Sequence, residues 1–188
     1  HGERRDHRER DPFASLDVLG AVIPEIDQVV ESLADPVWQN AFDLDRMGLG
    51  GMSLGGMATL RRLCDPHHFI CAAVECTTGD LTNLYAEAGP HPWGATYPAE
   101  RVAPLDPRLH MTGFRPIPLL ALHSEADQIV PVSLQRSFLH ELGTHYARNG
   151  AAPDLIEFHT WPTTGAPHEH SGFGRVGNDA KNMQTDFL

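Results

Sequence analysis

The residues best suited to chemistry lie in a glycine-rich stretch, Gly51-Met52-Ser53-Leu54-Gly55. It matches the pattern G-x-S-x-G, in which a serine occupies a sharp turn between a strand and a helix. The two glycines are expected to press against the adjoining strand and helix, so both should need to lack a side chain. A glycine-rich turn without catalytic function is the alternative, but the flanking strand and helix signals favour the first interpretation. The pattern predicts Ser53 as a nucleophile and the backbone N–H of Leu54 as an oxyanion donor.

A serine is a poor nucleophile unless a base accepts its proton and an acid orients that base. The acid is expected just beyond the carboxyl end of a strand, where side chains converge on such a site. Glu125 and Asp127 both follow the apolar segment 117–122 in this way. The base is expected after the next strand, in a loop that contains His168 and His170. The sequence therefore predicts a serine, acid and histidine set, with two candidates for each of the last two positions.

Strand signals alternate with segments of helical periodicity along the chain. The strands are predicted at 47–49, 69–74, 117–122 and 155–158, and the helices at 13–33, 57–64, 133–148 and 178–188. Runs that are apolar throughout are typical of strands buried on both faces of a parallel sheet. A segment near 78–116, rich in glycine and proline, is predicted to be a small insertion. We expect one α/β domain over residues 1–188, with three αβα layers and a mainly parallel sheet.

Composition excludes several classes of partner. The formal net charge of -11 argues against nucleic acid or an anionic membrane, since both need a cationic surface. No apolar run has the roughly 18 residues of a membrane-spanning helix, and the charged first ten residues do not resemble a signal peptide. Three clustered cysteines and scattered histidines favour free thiols in a reducing, cytoplasmic location, and no metal site. No cofactor is expected, and the oligomeric state is left open.

Three parts of the sequence together resemble a known family. They are the Ser53 motif, the segment HSEADQIVP at 123–131, and the late histidine. The set resembles the dienelactone-hydrolase-like and prolyl-oligopeptidase-like esterases of the α/β-hydrolase superfamily, whose H-G-x-x-D-x-x-V-P segment has glycine where this chain has Ser124. The resemblance selects Asp127 as the acid. It leaves His168 and His170 equal, because a G-x-x-H pattern points to the first and the following small residues and aromatic point to the second.

The opening His1-Gly2-Glu3-Arg4 resembles the D-x-H-G-x-R type of segment that follows the fourth strand in these esterases. The resemblance then implies an α/β-hydrolase fold that is N-terminally truncated. It also implies that the loop supplying a second oxyanion N–H is missing. Removing one such donor typically costs a rate factor of about a hundred to a thousand, so we expect a weak catalyst or none.

The resulting hypothesis is a serine hydrolase of the carboxylesterase class, acting on a small-molecule ester through an acyl-enzyme. Two alternatives remain: a peptidase of the same fold, and an inactive hydrolase-like fragment that serves as a binding module. Tyr85, Trp93 and Tyr97, all in the predicted insertion, could line a substrate pocket. The simpler interpretation is that these aromatic residues pack the insertion itself.

Overall fold

A computed structural model describes residues 14–86 and 97–187 of the chain. Its sheet has four parallel strands in sequential order, β1 to β4. They are β1 (Gly48–Met52), β2 (Cys71–Glu75), β3 (Leu119–Ser124) and β4 (Ile156–Trp161). All of β3 and the first four residues of β2 are buried, as expected for central strands. The outer strands β1 and β4 are only partly buried.

Strand boundaries depart from the prediction for two reasons. Phe69 and Ile117 are buried and extend the apolar runs, yet each lies two residues before its strand. In these two segments, apolar character indicates that a residue is buried, not that it belongs to the hydrogen-bonded strand. Conversely, β1 continues to Met52, beyond the predicted 47–49, because glycine has low strand propensity and hides the strand from a sequence pattern.

Six α-helices accompany the strands in the described part of the chain. They are α1 (Ala14–Leu33), α2 (Leu54–Arg62), α3 (Leu81–Leu84), α4 (Ala99–Val102), α5 (Val132–Arg148) and α6 (Gly177–Phe187). The described part of the predicted insertion consists of α3, α4 and the 3-10 turns Ala103–Leu105 and Pro107–Gly113. Within the described ranges, no helix has the length and apolar character that crossing a membrane requires.

Alternate residues of the central strands face opposite sides of the sheet, which produces three layers. On one side, Val74 and Ala121 pack in a cluster with Phe138 and Leu142 of α5. On the other side, Ala73, Cys76, Leu120 and Leu122 pack with Phe173 and with Ala180 of α6. Helix α1 lies against α2, with Leu16 and Leu19 in the same cluster as Met57 and Ala58. The predicted α/β architecture with a parallel sheet is confirmed.

Candidate active site

Ser53 occupies the turn between β1 and α2. Its backbone angles, φ 53° and ψ −121°, lie outside the regions that side chains prefer, as a strained elbow requires. Three hydrogen bonds hold it there. The Ser53 N–H donates to the Glu75 carbonyl at 2.8 Å, while the Ser53 carbonyl accepts from Met57 N–H at 3.0 Å and from Thr77 Oγ1 at 2.8 Å. Sequence reasoning did not identify Thr77 as a residue that supports the turn.

The glycines around Ser53 have different constraints. A Cβ on Gly51 would lie 2.4 Å from the backbone carbonyl group of Gly55, so Gly51 must lack a side chain. The same expectation for Gly55 is wrong, because a Cβ there would meet nothing within 4 Å. Gly56 carries the second constraint instead, since its Cβ would lie 2.7 Å from the Thr77 Cβ. Helix α2 approaches the segment that follows β2 through Gly56, one residue later than the motif suggests.

A continuous hydrogen-bonded chain joins Ser53, His170 and Asp127. The Ser53 Oγ lies 2.8 Å from His170 Nε2, and the His170 Nδ1 lies 2.8 Å from Asp127 Oδ2. An ionised carboxylate only accepts, so Nδ1 carries the proton and Nε2 presents its lone pair to the serine hydroxyl. This is the tautomer that a general base for Ser53 needs.

The other two predicted candidates lie outside this chain of hydrogen bonds. The His168 side chain is exposed, and its backbone carbonyl accepts from the Gln128 N–H at 3.1 Å. Glu125 is also exposed, and its carboxylate accepts from Thr160 Oγ1 at 2.8 Å. The structure therefore separates the alternatives that the sequence left open. His170, not His168, lies beside Ser53, and Asp127, not Glu125, lies beside His170.

The Asp127 carboxylate is buried but fully hydrogen-bonded. Its Oδ1 accepts from the N–H groups of Ile129 and Val130, both at 2.8 Å. Burial by itself raises the pKa of Asp127, but the hydrogen bonds from His123, His170 and these two N–H groups outweigh it and lower the pKa to about 2. Asp127 is therefore ionised at all ordinary pH values and can stabilise a charged His170.

His123 is a second histidine on the acid, and sequence reasoning gave it no role. Its side chain is fully buried, with Nε2 2.8 Å from the Val130 carbonyl and 3.3 Å from Asp127 Oδ2. Both neighbours are acceptors, so Nε2 carries a proton. Nδ1 has no hydrogen-bond partner in the described part of the chain. The available signal was the histidine that opens the segment HSEADQIVP, four residues before the acid.

The predicted oxyanion donor is suitably placed. Leu54 is the first residue of α2, directly after Ser53. The first N–H groups of a helix have no partner within the helix, and they lie at its positive end. The opening segment His1 to Arg4, from whose resemblance the absence of an upstream oxyanion loop was predicted, lies outside the described residues.

One set of side chains at this site could in principle ligate a metal ion. Ligand atoms of Cys76, Asp127 and His170 lie within 4.8 Å of one another. Two of these residues already satisfy each other in the hydrogen-bonded chain described above. Burial, with a smaller contribution from the Asp127 charge, raises the pKa of the Cys76 thiol to about 12, so the thiolate that a metal prefers is disfavoured. The donor set therefore fits a triad better than a metal centre.

The aromatic residues of the insertion are core residues where the structure describes them. Tyr85 and Tyr97 are both buried and meet edge to face, with ring centroids 4.7 Å apart. Trp93 lies outside the described residues.

A cleft of about 270 Å³ runs along β1 and β2, lined by Gly48, Ile70 and their neighbours, and Ser53 is not part of its lining.

Comparison with known proteins places this geometry in context. The sequence pattern of the prolyl oligopeptidase family matches residues 24–184. Among curated proteins, none matches the chain. The fold is similar to that of a Pyrococcus horikoshii acylaminoacyl peptidase, with a TM-score of 0.66 and 19% identity over 90% of this chain and 26% of that one.

Two further solved structures share the fold. A Mycobacterium tuberculosis puromycin-hydrolyzing peptidase has a TM-score of 0.58 and 20% identity, over 85% of this chain and 23% of that chain. A putative dienelactone hydrolase from Klebsiella pneumoniae has a TM-score of 0.56 and 12% identity, over 90% of this chain and 60% of that chain. The chain thus spans about a quarter of the length of the two peptidases.

These structures agree with the observed sheet and confirm the α/β-hydrolase fold class. The family match covers most of the chain, from within α1 to within α6. This chain belongs to the prolyl oligopeptidase family, within the α/β-hydrolase superfamily.

Proposed function

We propose that this chain carries the catalytic centre of a serine hydrolase that cleaves carboxylic esters through an acyl-enzyme. The observation that carries the proposal is the unbroken hydrogen-bond path from Ser53 Oγ through His170 to Asp127, with 2.8 Å at each step. Such a path makes a serine nucleophilic, because the base is both oriented and held in the correct tautomer. Family membership independently supports a serine hydrolase.

The reaction follows from the positions of these groups. His170 Nε2 accepts the hydroxyl proton as Ser53 Oγ attacks the ester carbonyl carbon, and the ionised Asp127 stabilises the imidazolium that forms. The Leu54 N–H donates to the developing oxyanion. The imidazolium then protonates the leaving alcohol, which departs and leaves an acyl-Ser53. Water, deprotonated by His170, attacks the acyl group and restores the free serine.

Peptide-bond cleavage is the second candidate, and a specific observation favours it. The chain matches a peptidase family, and two of the solved structures that share its fold are described as peptidases. An amide requires protonation of a poorer leaving group, so it demands more of the oxyanion site and of His170 than an ester does. We therefore place ester hydrolysis first for this chain and test both substrates together.

The first experiment is labelling with a fluorophosphonate, which phosphonylates an activated serine, followed by mass mapping of the modified peptide. We expect the label on Ser53, and no label in Ser53→Ala. Ser171→Ala is the matched control, since Ser171 is an exposed serine beside the base. A folded chain that takes no label would reject the hydrolase proposal and favour the binding-module alternative.

The second experiment measures p-nitrophenyl acetate and an aminoacyl-p-nitroanilide side by side. Turnover of the acetate alone, dependent on Ser53, supports an esterase. Comparable turnover of both substrates supports the peptidase candidate. Losing both activities in Ser53→Ala, with both retained in Ser171→Ala, excludes a contaminating hydrolase.

A further inference from the structure

The residue directly before the proposed base, Glu169, has a carboxylate that accepts four hydrogen bonds. Glu169 Oε2 accepts from Ser124 Oγ at 2.9 Å and from Thr164 Oγ1 at 2.8 Å, and it also accepts from the Thr164 N–H. Glu169 Oε1 accepts from the Gly165 N–H at 2.9 Å. Ser124 and Thr164 are both fully buried, whereas Glu169 itself is partly buried and Gly165 is exposed.

The backbone around Glu169 is strained. Glu169 has φ 53° and His168 has φ 56°, both in the left-handed region that residues with side chains seldom adopt. Such conformations cost of the order of 1 kcal/mol or more and persist only where surrounding contacts enforce them. Glu169 closes a tight turn with its N–H on the Ala166 carbonyl at 2.9 Å, and His170 follows immediately. The side-chain hydrogen bonds of Glu169 are among the contacts that hold this turn, together with the bond from the Gln128 N–H to the His168 carbonyl.

Ser124 connects this turn to the acid. It is the last residue of β3, and its backbone carbonyl accepts from the Asp127 N–H at 3.2 Å. Its hydroxyl donates in the other direction, to Glu169. Ser124 therefore connects two turns. Its backbone binds the turn that carries Asp127, and its side chain binds the turn that carries His170. A glycine, usual at this position in the family that the sequence resembles, has no hydroxyl to make the second contact.

We propose that the Ser124–Glu169 hydrogen bond is a positioning device, which holds the His170 loop in register with the Asp127 turn. Ser124 and Glu169 touch no reacting atom in this role, so they are positioning residues and not catalytic residues. The predicted effect on reaction rate rests on the proposed hydrolase function. The claim that this bond holds the His170 loop against the Asp127 turn does not depend on that function.

The expected effect is on the rate constant of the chemical step rather than on substrate affinity. Displacing a catalytic group by about 1 Å costs a rate factor of about a hundred. We expect Glu169→Ala to lower kcat by about 10- to 100-fold, with KM changed by less than about 2-fold. Glu169→Gln should recover only part of the rate, because its amide oxygen can replace Oε2 as an acceptor but its NH2 group cannot accept from the Gly165 N–H.

A matched control is available on the neighbouring loop. Glu125 also follows β3, and its carboxylate also accepts a hydrogen bond from a threonine, Thr160. No hydrogen bond joins Glu125 to the described loop that carries His170. Glu125→Ala should leave kcat within about 2-fold of the parent. Ser124→Ala should lower kcat, and this loss should disappear in the Glu169→Ala background, because the two residues act through one shared bond.

The decisive measurement combines these kinetics with the downfield proton resonance of the His170–Asp127 hydrogen bond, recorded in the Ser53→Ala background. We expect that resonance in the parent and in Glu125→Ala, and its shift or loss by exchange in Glu169→Ala and Ser124→Ala. If Glu169→Ala does not fold, Ser124→Ala still provides the comparison.

The outcomes separate this inference from the proposed function. A chain that lacks hydrolase activity but loses the resonance in Glu169→Ala would reject the function and support the positioning role. An active chain whose kcat and resonance are unchanged in Glu169→Ala and Ser124→Ala would overturn the positioning role and leave the function standing. Equal losses in Glu125→Ala would also overturn it, since they would reveal a general effect of removing a carboxylate.

Discussion

Two histidines, His168 and His170, lie two residues apart in one loop, but only one of them touches Ser53. His170 is only 7% exposed to solvent, and its ring bridges Ser53 and Asp127 through hydrogen bonds. The His168 ring points to solvent. At the scale of single residues, the site depends on which side chain of a pair is buried, and this distinction yields two predictions.

The first prediction contrasts the two histidines. His170→Ala should abolish fluorophosphonate labelling and lower ester hydrolysis by at least about a thousand-fold, because Ser53 loses its base. His168→Asn should stay within a few-fold of the parent, since asparagine tolerates the left-handed backbone at this position. Labelling time courses on both variants measure the difference. Equal losses in the two variants would contradict the assignment of the base.

The second prediction concerns the effect of low pH on the Asp127 carboxylate. Its pKa of about 2 in the folded chain lies below its ordinary value of 3.8, so its ionised form stabilises the fold above about pH 4. This contribution is lost as the pH falls through about 2. Between pH 6 and pH 3 the parent should lose about 1 kcal/mol more unfolding free energy than Asp127→Asn, which has no charge to lose.

Urea unfolding at the two pH values measures this difference, and Glu125→Gln serves as the control because Glu125 is exposed. Asp127→Asn should also lower kcat by about ten-thousand-fold, as expected when the base is held in the wrong tautomer. A parent and Asp127→Asn that lose equal stability on acidification would show that the carboxylate is not held ionised in the fold.

At the scale of elements, β1, the elbow and α2 form one unit whose tolerance to substitution depends on glycine position. Gly51 and Gly56 lie against the Gly55 backbone and against Thr77, respectively, while Gly55 faces open space. The motif G-x-S-x-G emphasises Gly51 and Gly55, whereas packing constrains Gly51 and Gly56. The difference arises because Gly56, one residue farther into α2, meets the chain that leaves β2.

The third prediction follows from this packing. Gly55→Ala should raise the free energy of unfolding by about 0.5–1 kcal/mol, because alanine is the better helix former, and labelling of Ser53 should persist. Gly51→Ala and Gly56→Ala should destabilise the chain and abolish labelling, since each new Cβ meets atoms at 2.7 Å or less. Thermal unfolding of the three variants tests this, and a destabilised Gly55→Ala would contradict it.

At the scale of the whole molecule, β1 is an outer strand of the described sheet. Its Gly48 and Gly50 are exposed, and Ile70, whose N–H donates to the Met47 carbonyl, is 45% exposed beside it. Unpaired strand edges with exposed apolar neighbours promote pairing between chains. The solved relatives that share the fold have longer chains than this one.

The fourth prediction is that this edge limits solubility. Ile70→Lys should reduce concentration-dependent light scattering of the chain, because a charge beside the outer strand of the described sheet disfavours edge pairing. Val29→Lys is the matched control, since Val29 is also an exposed apolar residue, 58% exposed, and belongs to helix α1 rather than to the sheet. Equal effects of the two substitutions would attribute the change to net charge rather than to the edge.

The sequence by itself determined the order of elements and the family, and it predicted Ser53 as the candidate nucleophile. Hydrophobic periodicity and the elbow pattern depend on local spacing, so the parallel α/β architecture and Ser53 could be predicted before any contact was known. The acid could be narrowed to two carboxylates, and resemblance favoured Asp127. The predicted esterase activity, the single domain and the cytoplasmic location stay predictions.

Only the tertiary structure decided which of two neighbouring side chains reaches the site. The choice of His170 over His168 depends on a turn with two left-handed residues, which a pattern of residue types does not encode. The second histidine on Asp127, the role of Gly56 and the bond between Ser124 and Glu169 all join segments distant in sequence. Such contacts are set by how the strands and loops pack, and local spacing carries no record of that packing.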